Sequence, residues 1–266
     1  MKKRASAVLL LLLVIGSMLV LRASRYDYKF QDRDAIMAAA TAQHWTGTDD
    51  LGRDRTVRVA AALLIGLAGA SLAAALTTAI AACFGLLAAF SPLRLGGTLM
   101  FLSDIFLSLP WFFLLMMLRS QLPLTASPAE TAVATFLVLA ALGWPACARA
   151  IYRGALELRS AEWMIQGRIC GLRTGQLIRR HLVPHLRSLL LPQFLVCVPA
   201  FLVAEANLGA LGLGVGEPLP SWGAMLLELD NSALLARSGW VYLPIALLVV
   251  VLLVLESFTA EAEKNA

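Results

Sequence analysis

Eight arginines stand between Arg149 and Arg187: Arg149, Arg153, Arg159, Arg168, Arg173, Arg179, Arg180 and Arg187. Only Glu157 and Glu162 oppose them, in a sequence that is otherwise oily. Guanidinium groups at this density do no covalent chemistry; they face lipid headgroups or a protein surface. Two carboxylates, Asp104 and Glu205, fall inside long apolar runs. An ionisable group there is costly, so it either lines a pathway or is hydrogen-bonded to a neighbouring helix. His181 and His185 have the i, i+4 spacing of a helical metal pair, but no carboxylate stands close by to join them. Two ordinary histidines on a surface helix give the same pattern. Cys83, Cys147, Cys170 and Cys197 show no C-x-x-C spacing and read as small apolar fillers. The four lysines, Lys2, Lys3, Lys29 and Lys264, follow no Gly-rich loop, so a P-loop ATP site is excluded. H-E-x-x-H and G-x-S-x-G are absent as well. The expectation is a non-catalytic chain with no cofactor and no metal of its own.

The elements that position these residues are membrane spans. The chain has 266 residues, 59% of them apolar and only 15% charged, with a mean hydropathy of +0.77. A bilayer core needs about 20 apolar residues per helix. Runs of that order occur near 5–21, 66–90, 98–118, 131–148, 189–208 and 239–255. They are continuous rather than alternating, which predicts an all-α polytopic membrane protein with six transmembrane helices rather than a barrel. Lys2-Lys3-Arg4 before the first run predicts an uncleaved anchor with its N-terminus inside. The chain then divides into an anchor (1–22), an extracytoplasmic segment (23–65) and a membrane core (66–266). The core is interrupted by the basic segment 149–188, too long for a simple turn and long enough for a short helical hairpin on the membrane surface. The net charge of +5 is accordingly a topology signal facing lipid headgroups; nucleic acid is not an expected partner.

Three stretches carry a pattern beyond composition. Gly47-Thr48-Asp49-Asp50-Leu51-Gly52-Arg53-Asp54 brackets a tight turn with two glycines and offers side-chain caps. Glu162-Trp163-Met164-Ile165-Gln166-Gly167-Arg168 is followed by Gly171 and, further on, by Arg180-His181-Leu182-Val183-Pro184. Glu205-Ala206-Asn207-Leu208-Gly209 runs through a Gly-rich stretch to Pro220-Ser221-Trp222-Gly223. In this order they resemble the G-T-D-x-x-G-R-D segment, the cytoplasmic E-A-A loop and the E-A-x-L-S-F-L-G-L-G…P-S-W-G outer segment of one family. That family is the C-type transmembrane permease of dipeptide, oligopeptide and nickel ABC importers. Ile165, Gln166 and Gly167 replace its Glu-Ala-Ala, and Val183 replaces the Leu before its proline.

The resemblance implies an anchor helix plus a five-helix type I permease core in the bacterial inner membrane. It implies a second permease, two P-loop ATPase subunits and an extracytoplasmic binding protein as partners, with lipid around the bundle. The E-A-A loop, carrying Glu162, Trp163, Met164, Gln166, Gly167, Arg168, Gly171 and Pro184, would be the coupling site for the ATPases. Read from the residues, Trp163, Met164 and Ile169 would anchor a short amphipathic helix in a groove, with Arg168 and Arg173 at its rim. Gly171 would end that helix in a left-handed cap. Asp104 and Glu205 are the candidates for the translocation path. An autonomous secondary transporter, which would show an inverted repeat, a non-transporting permease-like scaffold and, more distantly, a membrane enzyme are the competing readings. Single cysteines at 153 or 159 should resist impermeant thiol reagents added to intact cells; labelling from outside would overturn the topology.

Overall fold

The computed structural model describes residues 2–121, 125–172, 176, 183–232, 235 and 239–264. Nine α-helices are found among the described residues. They are α1 (Lys2–Ala23), α2 (Arg55–Phe90), α3 (Leu93–Ser108), α4 (Trp111–Ser120), α5 (Pro128–Ser160), α6 (Glu162–Ile169), α7 (Val183–Ala210), α8 (Trp222–Leu227) and α9 (Leu243–Lys264). No strand is assigned among them; one isolated bridge pairs Thr48 with Asp54.

Five helices are long and apolar enough to cross a membrane, and α3 with α4 makes a sixth span. The third apolar run, expected as one helix over 98–118, is thus a pair bent by 77°. Pro110 is the physical reason. It lacks an N–H, and it forces Leu109 into extended backbone (φ −80°, ψ 142°). Pro145, Pro192 and Pro199 sit inside continuous helices instead. Hydroxyls also bond backbone across the bundle: that of Ser103 donates to the Pro145 carbonyl (3.1 Å) and that of Thr77 to the Ala140 carbonyl (3.1 Å).

Two helices overrun the bilayer. Thirty-six residues make α2 about 54 Å long, and 33 make α5 about 50 Å, against a hydrocarbon core of about 30 Å. The excess of α2 lies at its N-terminal end, where Asp54 caps the helix by accepting from the Val57 N–H (3.1 Å). The excess of α5 lies at the other end, so residues 149–160 continue the helix and only 162–169 form the separate helix α6. Arg159 fixes that end by donating to the Ala89 carbonyl in the last turn of α2 (2.7 Å).

The core forms around α2. Its buried positions below Leu63 are Gly66, Ala70, Ala73, Ala74, Thr77, Thr78, Ala81, Gly85, Ala88 and Ala89, a small residue at every turn. Such a stripe lets α5 and α7 approach backbone to backbone, where packing contacts replace the hydrophobic drive that lipid does not supply. Phe136, Leu139, Trp144 and Ile151 of α5 and Phe201 and Leu202 of α7 fill against it. Phe84 stacks on Trp144 with ring centroids 4.4 Å apart. The first helix, α1, lies at the periphery on α2 and α9, touching the core through Leu10 and Leu13.

A Cβ at Gly85 would meet the Ala148 carbonyl oxygen at 2.7 Å and the Tyr152 nitrogen at 3.1 Å, both backbone; one at Gly97 meets nothing within 4 Å. Gly85→Val should therefore cost about 1–3 kcal/mol by overpacking. Gly97→Ala should be neutral or slightly stabilising. Thermal unfolding midpoints in one detergent compare the two; an unchanged midpoint for Gly85→Val would refute the close α2–α5 contact.

Candidate functional site

The first motif folds into a buried ion cluster at the N-terminal end of α2. Gly47 (φ +80°) and Gly52 (φ +76°) turn the chain so tightly that a Cβ would strike the Ala38 and Asp32 carbonyl oxygens. This brings Asp49 under the start of α2. Its Oδ1 accepts from the Leu51 and Arg53 N–H groups (2.9 and 2.8 Å), and its Oδ2 takes the Arg53 Nε at 2.6 Å. Arg58 Nε lies 3.6 Å from the same oxygen. Glu217, from the loop after α7, bridges Arg53 (2.5 Å) and Arg58 (3.0 Å). Arg55, wholly buried, pairs with Glu228 at 2.9 Å and donates to the Thr46 and Thr48 carbonyls. On the other side His44 Nδ1 meets Asp54 at 2.8 Å, and Tyr26 stacks on the His44 ring. Burial works to lower the affinity of Arg53 for its proton, but Asp49 and Glu217 together hold it above its ordinary value. Burial also pushes the Glu228 carboxyl up, with Arg55 pulling the other way.

The third motif packs against this cluster. Its helix ends in a Schellman cap: Leu213 N–H donates to the Leu208 carbonyl (2.8 Å) and Gly212 N–H to that of Gly209 (2.9 Å). Gly209, Gly214 and Gly223 then stack so closely that a Cβ on any of them would lie within about 2.6 Å of a neighbour. Only glycine permits that crossing. Trp222 is inserted beside Gly66 of α2. Glu205, read from the sequence as a path candidate near the end of a span, is fully buried there. Its carboxylate points at the first turn of α8, toward Ser221 and the N–H groups of Trp222 and Gly223, without a close hydrogen bond to any of them. That is a bundle-facing acid against a helix N-terminus.

Asp104, the other path candidate, forms an ion pair with Arg149 of α5, and the two side chains are 44% and 35% exposed. The pair stands on an open face of the bundle, on the side toward α6. Arg149, expected at the start of the surface loop, lies instead within the continuous helix α5.

The residues that the resemblance assigns to the coupling loop are divided by α6. Met164 is 1% exposed and is held by Phe90, Leu158, Leu172 and Leu186, so it seats α6 on its own bundle and cannot enter a partner's groove. Trp163 stacks on His185 at 4.6 Å, and Gly167 is buried. The outward face is Glu162, Ile165, Gln166 and Ile169, at the i, i+3, i+4, i+7 spacing of one helical stripe, with Ile169 80% exposed. Gly171 takes φ +78° and Leu172 N–H donates to the Gly167 carbonyl (3.1 Å), the left-handed cap expected there. Arg173, Arg179, Arg180 and His181 lie outside the described residues, as do the side chains of Arg168 and Pro184. No cluster of three or more metal-ligating side chains occurs among the described residues.

Sequence reading missed Arg55, Arg58, Glu217, Glu228 and Ile165. The first four were legible only as charges flanking apolar runs, since their partners lie 159 or more positions away.

A family model described as the binding-protein-dependent transport system inner membrane component matches residues 81–261. The oligopeptide transport system permease protein OppC of Mycobacterium tuberculosis is 29% identical over 266 residues, spanning 98% of this chain and 88% of that protein. OppC of Bacillus subtilis is 29% identical over 218 residues (82% and 70%). OppC of Haemophilus influenzae is 28% identical over 221 residues (81% and 67%).

Removing one partner of a buried pair leaves the other charge uncompensated. Glu228→Ala should cost about 3–5 kcal/mol through Arg55, while Asp50→Ala on the exposed rim should change little. Unfolding midpoints in detergent decide it; equal midpoints would show the outer cluster to be ornamental.

Proposed function

We infer the function from one premise: the chain belongs to the family of inner-membrane components of binding-protein-dependent transport systems. It is a multi-pass permease subunit of an importer. We propose that its cargo is a peptide, a reading supported by relatives that are named oligopeptide permeases across most of their length. A second permease completes the path, a binding protein delivers the peptide at the outer loop 209–231, and separate ATPase subunits drive the cycle. Beyond binding and release this chain performs no chemistry and needs no cofactor.

The observation that carries the coupling assignment is the split character of α6. One side is anchored by Met164; the other leaves Ile165 and Ile169 bare, with Glu162 and Gln166 beside them. A helix so short does not hold its shape in water by itself; here α5, the Met164 contacts and the Gly171 cap hold it. An apolar stripe of this kind is what a helix-in-groove partner reads. The docking anchors are therefore Ile165 and Ile169 rather than Met164. Pulling this face sideways moves α5 and α7 with it, since Leu158 and Leu186 share the Met164 cluster.

The tagged chain purified in mild detergent should bring down a second permease and P-loop ATPases. Ile169→Asp should reduce ATPase recovery about tenfold or more, the loss of one buried interface anchor, and leave the second permease bound. Reproducible recovery of the chain alone would turn the assignment toward an autonomous transporter or a scaffold.

A further inference from the structure

The outer loop, the end of α4 and the start of α5 enclose an open cleft of about 890 Å³. Its charged lining is Asp50, Arg53, Arg58, Arg119, Glu217, Glu228 and Asp230. Most of this charge is already spent. Glu217 is shared by Arg53 and Arg58, and Glu228 is held by Arg55. Arg119 differs. It is 9% exposed at the end of α4, and among the described residues it has no acidic partner. Nε donates to the Thr135 hydroxyl (3.1 Å), which itself donates to the Thr131 carbonyl, and Nη2 donates to the Gly214 carbonyl (2.6 Å). Those bonds fix the plane of the guanidinium. Nη1 makes no hydrogen bond among the described residues, and it is not sealed from solvent either.

A guanidinium cannot shed its proton to escape burial. Left uncompensated at the mouth of a transport path, it is a fixed positive charge with free donors and an orientation set by neutral partners. Planar, two-pronged donors select a carboxylate. Asp50 and Asp230, which have no ion pair among the described residues, are exposed at its rim, which gives the cleft the opposite polarity at its edge. Resting on the peptide-import reading above, we propose that Arg119 receives the free C-terminal carboxylate of the peptide as it leaves the binding protein, making the cleft a waypoint selective for peptides with an uncapped C-terminus.

The test uses the complete importer, with its binding protein, in lipid vesicles. ATP-driven uptake of one peptide is compared with that of its C-terminal carboxamide in the wild type, Arg119→Gln and Arg119→Lys. The variant-to-wild-type ratio for each peptide cancels any preference of the binding protein itself. Arg119→Gln should lower uptake of the free-carboxylate peptide about tenfold, the scale of one charge-assisted contact, and leave the carboxamide unchanged. Arg119→Lys should recover part of the loss. Equal losses for both peptides, with less assembled complex on purification, would overturn the inference and assign Arg119 to an acid of the second permease or to the fold. Unchanged uptake of both would overturn it outright. A wild-type importer that moves neither peptide would overturn the peptide reading, and this inference with it.

Discussion

Everything in this molecule depends on how closely α2 lets its neighbours approach. A lipid-embedded bundle gains little from hiding one apolar side chain behind another, because the lipid is equally apolar. What remains is van der Waals contact, which grows as backbones come together, and hydrogen bonds that have no water to compete with. The stripe from Gly66 to Ala89 supplies the first. Thr77 donating to the Ala140 carbonyl and Ser103 to that of Pro145 supply the second. With α2 and α5 locked along most of their length, the other spans have a surface to lean on, and both ends of the pair become platforms.

The platform at the N-terminal end of α2 shows why so many charges can be buried beside an apolar bundle. Arg55 and Asp49 are fully buried, and Arg53 and Arg58 nearly so, a costly arrangement for any one of them. The cost is offset because each acid serves more than one donor: Asp49 takes two backbone N–H groups and the Arg53 side chain, and Glu217 takes two arginines. The same bonds tie the loop after α7 to the start of α2. The Gly-rich outer segment is thereby positioned by ion pairs at Glu217 and Glu228 and by a glycine crossing at Gly209, Gly214 and Gly223.

Much of this was legible in the sequence, and the misses share a cause. Span number, the left-handed cap at Gly171 and the tight turn at Gly47 and Gly52 follow from composition, from a helix that must stop, and from backbone that only glycine adopts cheaply. The extent of α5 did not follow, because Arg149, Arg153 and Arg159 look like loop residues until the helix is seen to overrun the bilayer. Pro110 and Pro145 are the same residue type in similar apolar runs; one breaks its helix and the other does not, and the difference lies in neighbouring helices. Met164 and Ile165 are adjacent and equally apolar, yet only the rotation of α6 on Phe90 and Leu186 decides which faces out. The pairings Arg55–Glu228 and Asp104–Arg149 are properties of the packing, invisible to any local pattern.

Coupling across the membrane needs an element that touches both platforms, and the geometry restricts the choice. The short helix α6 hangs from the end of α5 and rests on Phe90 of α2. At the other end, α5 presents Thr131, whose hydroxyl accepts from the Gly216 N–H (2.9 Å), and Thr135, which holds Arg119; α2 presents Arg55 and Arg58, which hold Glu228 and Glu217. Both helices are unbroken between these points. The α2–α5 pair therefore joins the two ends of the bundle directly, with no need for a relay of side chains between them. The bent pair α3–α4 cannot serve in this way, since the break at Pro110 separates Asp104 from Arg119. The bend thus parts a segment bonded to the cleft from a segment bonded to α5.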